Sequence, residues 1–254
     1  MLELKNVGAG YDGTEIVHGV NARFEAGESY VLLGQNGCGK TTLLRAMSQL
    51  IPHSGDILLD GTPIETMKRC DLAEKIAIMS QINELYFAYS VFDTVMLGRY
   101  PHMKKRHATH SSREDRDCVE RVLRSSGLWD MRDRSIDTLS GGQRQRVFLA
   151  HTLAQDPSII LLDEPTNHLD VKHQVELIDY LKHWICDGKH MVIGVFHDIN
   201  LALRLSQNVL FMREGIIERQ GRFTDIADRA FLTRIYGMDI AQYVRDSMAP
   251  WQHL

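Results

Sequence analysis

The chain has 254 residues, 44% hydrophobic and 24% charged, with a net charge of −4. That is enough for one large packed domain with an inserted lobe, in an ordinary globular composition. The negative balance argues against a nucleic acid as the main partner. Four cysteines, Cys38, Cys70, Cys118 and Cys186, form no C-x-x-C pair. Their spacing suggests neither a zinc site nor a disulfide framework, and a reducing cytosol fits. The start, MLELKNVGAGYDG, lacks a charged-then-apolar leader pattern, and no apolar run approaches the ~20 residues of a membrane helix.

LELKNV alternates as a strand does, and ARFEAGESYVLLG contains a strand ending at Leu33. A helix begins just after Gly39 and carries Leu43, Leu44 and Met47. DILLDG is a short strand closed by an Asp-Gly turn, and KIAIMS, Lys75 to Ser80, is a buried strand. From about Asn83 to Arg134 the pattern is helical and more charged, with Val119, Val122 and Leu123 on one stripe. Within it, the basic cluster Lys104-Lys105-Arg106 reads as a solvated loop, with a lipid-headgroup or partner contact as the alternative, and His102, His107 and His110 lie nearby without an assigned role. SIILLDEP and MVIGVFHD are continuous apolar runs, as expected of parallel strands covered on both faces. NVLFMREGIIERQG reads as a hairpin turning at Glu214-Gly215, and Phe223 to Val244 is a short helical tail. The expected fold is α/β: a core of residues 1–82 and 136–254, with an inserted α-helical subdomain at about 83–135.

Gly34-Gln35-Asn36-Gly37-Cys38-Gly39-Lys40-Thr41 matches G-x-x-x-x-G-K-[ST] between a strand and a helix, and Thr42 follows. In such a loop the glycines let backbone N–H groups turn inward at phosphate, and the helix N-terminus adds partial positive charge. Lys40 reaches the β- and γ-phosphates, and Thr41 suits a Mg²⁺ ligand. Cys38 serves through its backbone, and its side chain receives no catalytic role. A thiol reagent that reaches it is expected to block nucleotide binding, with protection by ATP. The strand IILLDEP ends in two carboxylates. Asp163 suits direct or indirect contact with Mg²⁺, and Glu164, pointing elsewhere, suits a general base for the attacking water. Together the two motifs predict hydrolysis of a nucleoside triphosphate.

A second phosphate-binding pattern lies a hundred residues on, in LSGGQRQRV, Leu139 to Val147. Ser140 offers a hydroxyl, Gly141 and Gly142 allow close backbone approach, and a helix begins near Gln143. With LLDEPTNHLD and His197, this segment resembles the ATP-binding cassette family over Leu2 to about Tyr243, in matching order. The resemblance implies a P-loop NTPase core of RecA type: a mostly parallel sheet with an N-terminal antiparallel β subdomain. It also implies that two copies pack head to tail, so that Ser140, Gly141, Gly142 and Gln143 of one chain close over ATP held by the other. By the same resemblance Tyr11 stacks on adenine, and Gln81 senses Mg²⁺ and the attacking water. Asp170 couples the two sites, and His197 contacts the γ-phosphate and orients the water. Taken alone, a tyrosine in a turn is more often a surface residue, and a histidine at a strand end more often structural.

The family divides into importers, exporters and soluble ATPases. No membrane span is fused, which disfavours a fused exporter; a single cassette without coiled coil or zinc hook disfavours translation factors and DNA-repair ATPases. VFDTVMLGRYPH and HDINLALRLSQNVLFMREGIIERQG resemble the cassettes of importers for ferric siderophores, haem and vitamin B12. Zinc and manganese importers have similar cassettes, and a soluble ATPase of iron–sulfur assembly is the other class. The resemblance implies ATP and Mg²⁺, a homodimer, an integral permease, indirectly a substrate-binding protein, and a peripheral place on the cytoplasmic face of the membrane. Leu85, Tyr86, Phe87 and Tyr89 form an aromatic run that fits either a seat for a permease helix or the lobe's own core.

Overall fold

The computed structural model describes residues 1–80, 89–107, 110–167 and 169–250. In chain order the strands and helices begin with β1 (Leu2–Tyr11), β2 (Thr14–Phe24), β3 (Ser29–Leu33) and α1 (Lys40–Met47). Then come β4 (His53–Leu59), β5 (Thr62–Pro63), α2 (Arg69–Ala73) and β6 (Ile76–Met79). The inserted segment supplies α3 (Val91–Leu97), α4 (Tyr100–Lys105) and α5 (Arg113–Ser125). They are followed by α6 (Gly141–Ala154), β7 (Ile159–Asp163), α7 (Val171–Ile185), β8 (Met191–Val195) and α8 (Ile199–Leu205). The chain closes with β9 (Asn208–Arg213), β10 (Ile216–Arg222), α9 (Phe223–Ile226), α10 (Arg229–Tyr236) and α11 (Ile240–Met248).

The N-terminal strands make an antiparallel sheet of order β2-β1-β4-β5. The second sheet has order β10-β9-β3-β8-β7-β6; its strands are parallel except for β10, which returns antiparallel on β9. Its central strands are apolar but for the Ser29 and Asp163 ends, because they are covered on both faces. Period-2 alternation then divides their side chains. Leu32, Ile159, Leu161, Ile193 and Leu210 join Leu43, Leu44 and Met47 of α1 and the inner face of the antiparallel sheet. Val31, Leu33, Ile160, Leu162 and Val192 face α7, α8 and α10, where Ile178, Leu181, Leu205 and Phe231 are buried.

The helical lobe has its own apolar centre, with Val91 and Val95 of α3 against Val119 and Leu123 of α5. That centre extends past residue 135 to Ile136, Leu139 and Val147, so α6 bridges lobe and core. Asp115, fully buried, ties the lobe together: it accepts from Arg99 Nε at 3.1 Å and from Ser112 N–H at 2.9 Å, and it pairs with Arg106. Arg99 also donates to the Ala154 carbonyl at the end of α6, at 2.8 Å.

Parallel order brings the carboxyl ends of β3, β8 and β7 to one edge of the sheet. In open α/β sheets this edge is where ligands bind.

Candidate active site

The loop after β3 runs from Gly34 into α1. Gly34 has φ 150°, and a Cβ there would lie 2.1 Å from the Met212 carbonyl of β9, so only glycine fits this approach. Gly39 caps α1 without a side-chain partner, and no acidic residue occupies the first turn. The helix therefore keeps its N–H groups and partial positive charge for an anion. Lys40 is 7% exposed, and its ammonium curls back to donate to the carbonyls of Gly34 and Gln35, each at 2.8 Å. Among the described residues no carboxylate forms an ion pair with Lys40. The Cys38 sulfur lies 3.8 Å from Lys40 Nζ, and the thiol is buried.

Asp163 ends β7 beside this loop, where Thr41 Oγ1 donates to its carboxylate at 2.8 Å. Burial pushes the Asp163 carboxyl above its ordinary range. The Thr41 hydrogen bond opposes that shift, Glu164 adds to it, and Arg45 and Lys40 oppose it. Glu164, the next residue, has φ 55°, a left-handed conformation rare outside glycine. The turn sends its side chain away from that of Asp163. Its N–H donates to the Val195 carbonyl at 3.0 Å, and its carboxylate lies 2.8 Å from His197 Nε2. The other carboxylate oxygen accepts from Asn167 Nδ2 at 2.7 Å. His197 follows β8 by two positions and is half-exposed, so strand pairing of β7 with β8 is what brings it to Glu164.

These groups surround one cavity of about 280 Å³, lined by Asn36, Gly37, Gly39, Lys40, Thr41 and Thr42, with Ile16, Glu164 and His197. It can hold a polyphosphate against backbone donors and one ammonium, with the Glu164 carboxylate in its lining. Sequence reasoning missed Ile16 and Asn167. Ile16 arrives on β2 through the antiparallel sheet, a long-range relation with no local signal. Asn167 lies three residues after Glu164, a spacing that could have suggested a partner.

The other expected residues lie elsewhere. Tyr11 ends β1, and its hydroxyl accepts from Arg45 Nη1 of α1 at 3.1 Å. Ser140 caps α6 in a reciprocal box: its Oγ accepts from Gln143 N–H at 3.3 Å, and Gln143 Oε1 accepts from Ser140 N–H at 3.0 Å. The helix starts at Gly141, earlier than the sequence pattern suggested. Ser140 and Gly141 are exposed, and neither they nor Gly142 and Gln143 line the cavity. Asp170 caps α7, accepting from His173 N–H at 3.0 Å. That backbone hydrogen bond holds its carboxyl below the ordinary range. Gln81, and with it Leu85, Tyr86 and Phe87, lies outside the described residues.

The ABC transporter family model matches residues 17–167. The petrobactin import ATP-binding protein FpuD of Bacillus anthracis is 36% identical over 239 residues, covering 94% of this chain and 87% of that protein. The ferric enterobactin transport ATP-binding protein FepC of Escherichia coli is 36% identical over 230 residues, covering 90% and 85%. Among solved structures, the dimeric structure of a bacterial ABC transporter cassette superposes with a TM-score of 0.76 at 30% identity, covering 87% of this chain and 98% of that one.

Proposed function

The chain belongs to the ABC transporter family, as a nucleotide-binding ATPase, and from that membership we propose that it powers an importer for a metal chelate, foremost a ferric siderophore. Two copies close head to tail around two ATP and drive a separate permease from the cytoplasmic face of the membrane. What carries this assignment is likeness, over nine-tenths of the chain or more, to ATP-binding proteins named for petrobactin import and ferric enterobactin transport. Among the described residues no helix is long and apolar enough to cross a membrane, which fits a permease carried on a separate chain.

Thr41 and Asp163 present hard oxygen donors 2.8 Å apart, the chemistry Mg²⁺ prefers. When bound, Mg²⁺ neutralises charge on the β- and γ-phosphate oxygens. Lys40 meets the same phosphates as a point charge. Glu164 takes a proton from the attacking water at its carboxylate, while His197 Nε2 and Asn167 Nδ2 fix that carboxylate from two sides. By family likeness Gln81 would sense Mg²⁺ and the attacking water. Tyr11 stacks on adenine. Ser140, Gly141, Gly142 and Gln143 of the second copy close over the γ-phosphate, and Asp170 couples the two sites. The exposure of Ser140 and Gly141, outside their own chain's cavity, supports that two-copy arrangement.

A groove of about 350 Å³ runs between core and lobe, lined among others by Leu50, Arg69, Leu72, Tyr100 and Lys104. Leu50 and Tyr100 are 56% and 58% exposed there, and we assign this groove to a permease helix. Pull-down of the tagged chain from gently solubilised native membranes tests the proposal. A stoichiometric multispan permease is expected. Recovery with cytosolic partners alone would replace transport by an assembly role.

A further inference from the structure

Phosphate-binding loops work by turning successive N–H groups inward. Each inward N–H belongs to a planar peptide whose carbonyl points the opposite way. Those outward carbonyls need donors of their own when they are shielded from water. In this chain the Cys38 carbonyl accepts from the N–H of Gly215 at 3.1 Å. Gly215 lies 177 residues away, in the two-residue turn between β9 and β10. The peptide thus fixed is Cys38–Gly39, and Gly39 lines the nucleotide cavity.

The turn is clamped on its other side as well. His18 N–H of β2 donates to the Gly215 carbonyl at 2.9 Å. Ile16, two residues earlier on β2, lines the same cavity. Gly215 has φ 81°, and a Cβ there would lie 2.1 Å from the Ile16 carbonyl and 2.5 Å from His18 Cδ2. Both conformation and space exclude other residues. The hairpin also meets the loop at Gly34, which approaches the Met212 carbonyl. Backbone on both sides of the turn leaves it no room to shift when a side chain is added.

We infer that Gly215 is a positioning residue of the nucleotide site. Its N–H holds the Cys38 carbonyl outward and so turns the Gly39 N–H toward phosphate. This rests on the reading of the Gly34–Thr42 loop as the phosphate site, and the test separates the two.

Gly215→Ala, Gly215→Asn and Gly221→Ala would be compared with the wild type for affinity to a fluorescent ATP analogue with Mg²⁺, and for thermal unfolding. Gly221, φ 149°, sits in the same hairpin, and a Cβ added there would meet only the Ile226 side chain, at 3.0 Å. Roughly tenfold to a hundredfold weaker binding is expected for both Gly215 variants, the cost of losing one N–H hydrogen bond to a charged phosphate. Asparagine tolerates positive φ, so failure of Gly215→Asn assigns the effect to space against β2 as well as to conformation. Gly221→Ala should lower the melting temperature and keep the affinity. Folded Gly215→Ala that binds as the wild type does would overturn the inference, whereas a wild type that binds no nucleotide would overturn the site itself. Should the Gly215 variants not fold, hydrogen exchange of the wild type decides. The Gly215 amide should slow together with the loop when nucleotide is added, and a loop that slows without it contradicts the inference.

Discussion

Glu164 is held in a conformation that costs of order 1–3 kcal/mol, and the cost is met by what surrounds it. Its N–H is bonded to β8, and its two carboxylate oxygens face His197 and Asn167. The strained turn separates two adjacent carboxylates into two tasks, Asp163 toward Thr41 and Glu164 toward His197. Glu164→Gln should therefore retain ATP binding while turnover falls roughly 10²–10⁴-fold, the range for losing a general base. Parallel measurement of nucleotide affinity and phosphate release checks this, and near-wild-type turnover would remove Glu164 from the role. Lys40→Ala should abolish tight nucleotide binding, because among the described residues the buried ammonium is the cavity's one lysine; isothermal titration with Mg-ATP reads the loss directly. Lys40, Thr41 and Asp163 were legible because a contiguous loop and a strand end carry them. Ile16 and Gly215 were not, since each reaches the site by pairing between strands distant in sequence.

At the scale of elements, the continuous apolar runs of β7 and β8 and the turn at Glu214-Gly215 could be read locally. The order β9-β3-β8-β7 could not, because crossovers through helices set it and leave no periodicity in the strands. Nor did composition show that the lobe shares its core with α6. Asp115 is the pin of that lobe. Asp115→Asn removes a buried carboxylate from Arg99 and should destabilise the chain by about 3–5 kcal/mol, measured by denaturant unfolding. Burial raises the Asp115 carboxyl, but the Ser112 N–H, Arg99, the Ser112 hydroxyl and Arg106 together outweigh it and hold it below the ordinary range. A carboxyl lowered by folding stabilises above its unfolded value, near 3.9. That stability is lost as pH falls through the lower folded value. The wild type should thus lose its stability advantage over Asp115→Asn only below about pH 4; a difference that persists unchanged to lower pH would contradict the assignment.

At the scale of the whole molecule, one chain carries two phosphate-binding patterns that do not share a cavity. The first lies at the strand edge, with backbone donors, a lysine and a carboxylate. The second is an exposed helix start, capped by its own Ser140 and Gln143, outside that cavity. Gly141 is exposed and Gly142 half-buried, and in the proposed arrangement a second copy uses them to supply the other half of each site. In the proposed cycle ATP binding closes two chains together, hydrolysis releases them, and a permease helix in the groove beside Tyr100 feels the change.

The most direct measurement is the mass of the Glu164→Gln chain in solution with Mg-ATP, by sedimentation, alone and with Ser140→Arg added. Twice the chain mass with ATP, one chain mass without it, and one chain mass in the double variant despite retained ATP binding is the predicted result. A Glu164→Gln chain that binds ATP yet stays single, or a double variant that still pairs, would contradict the sharing of one nucleotide between two copies.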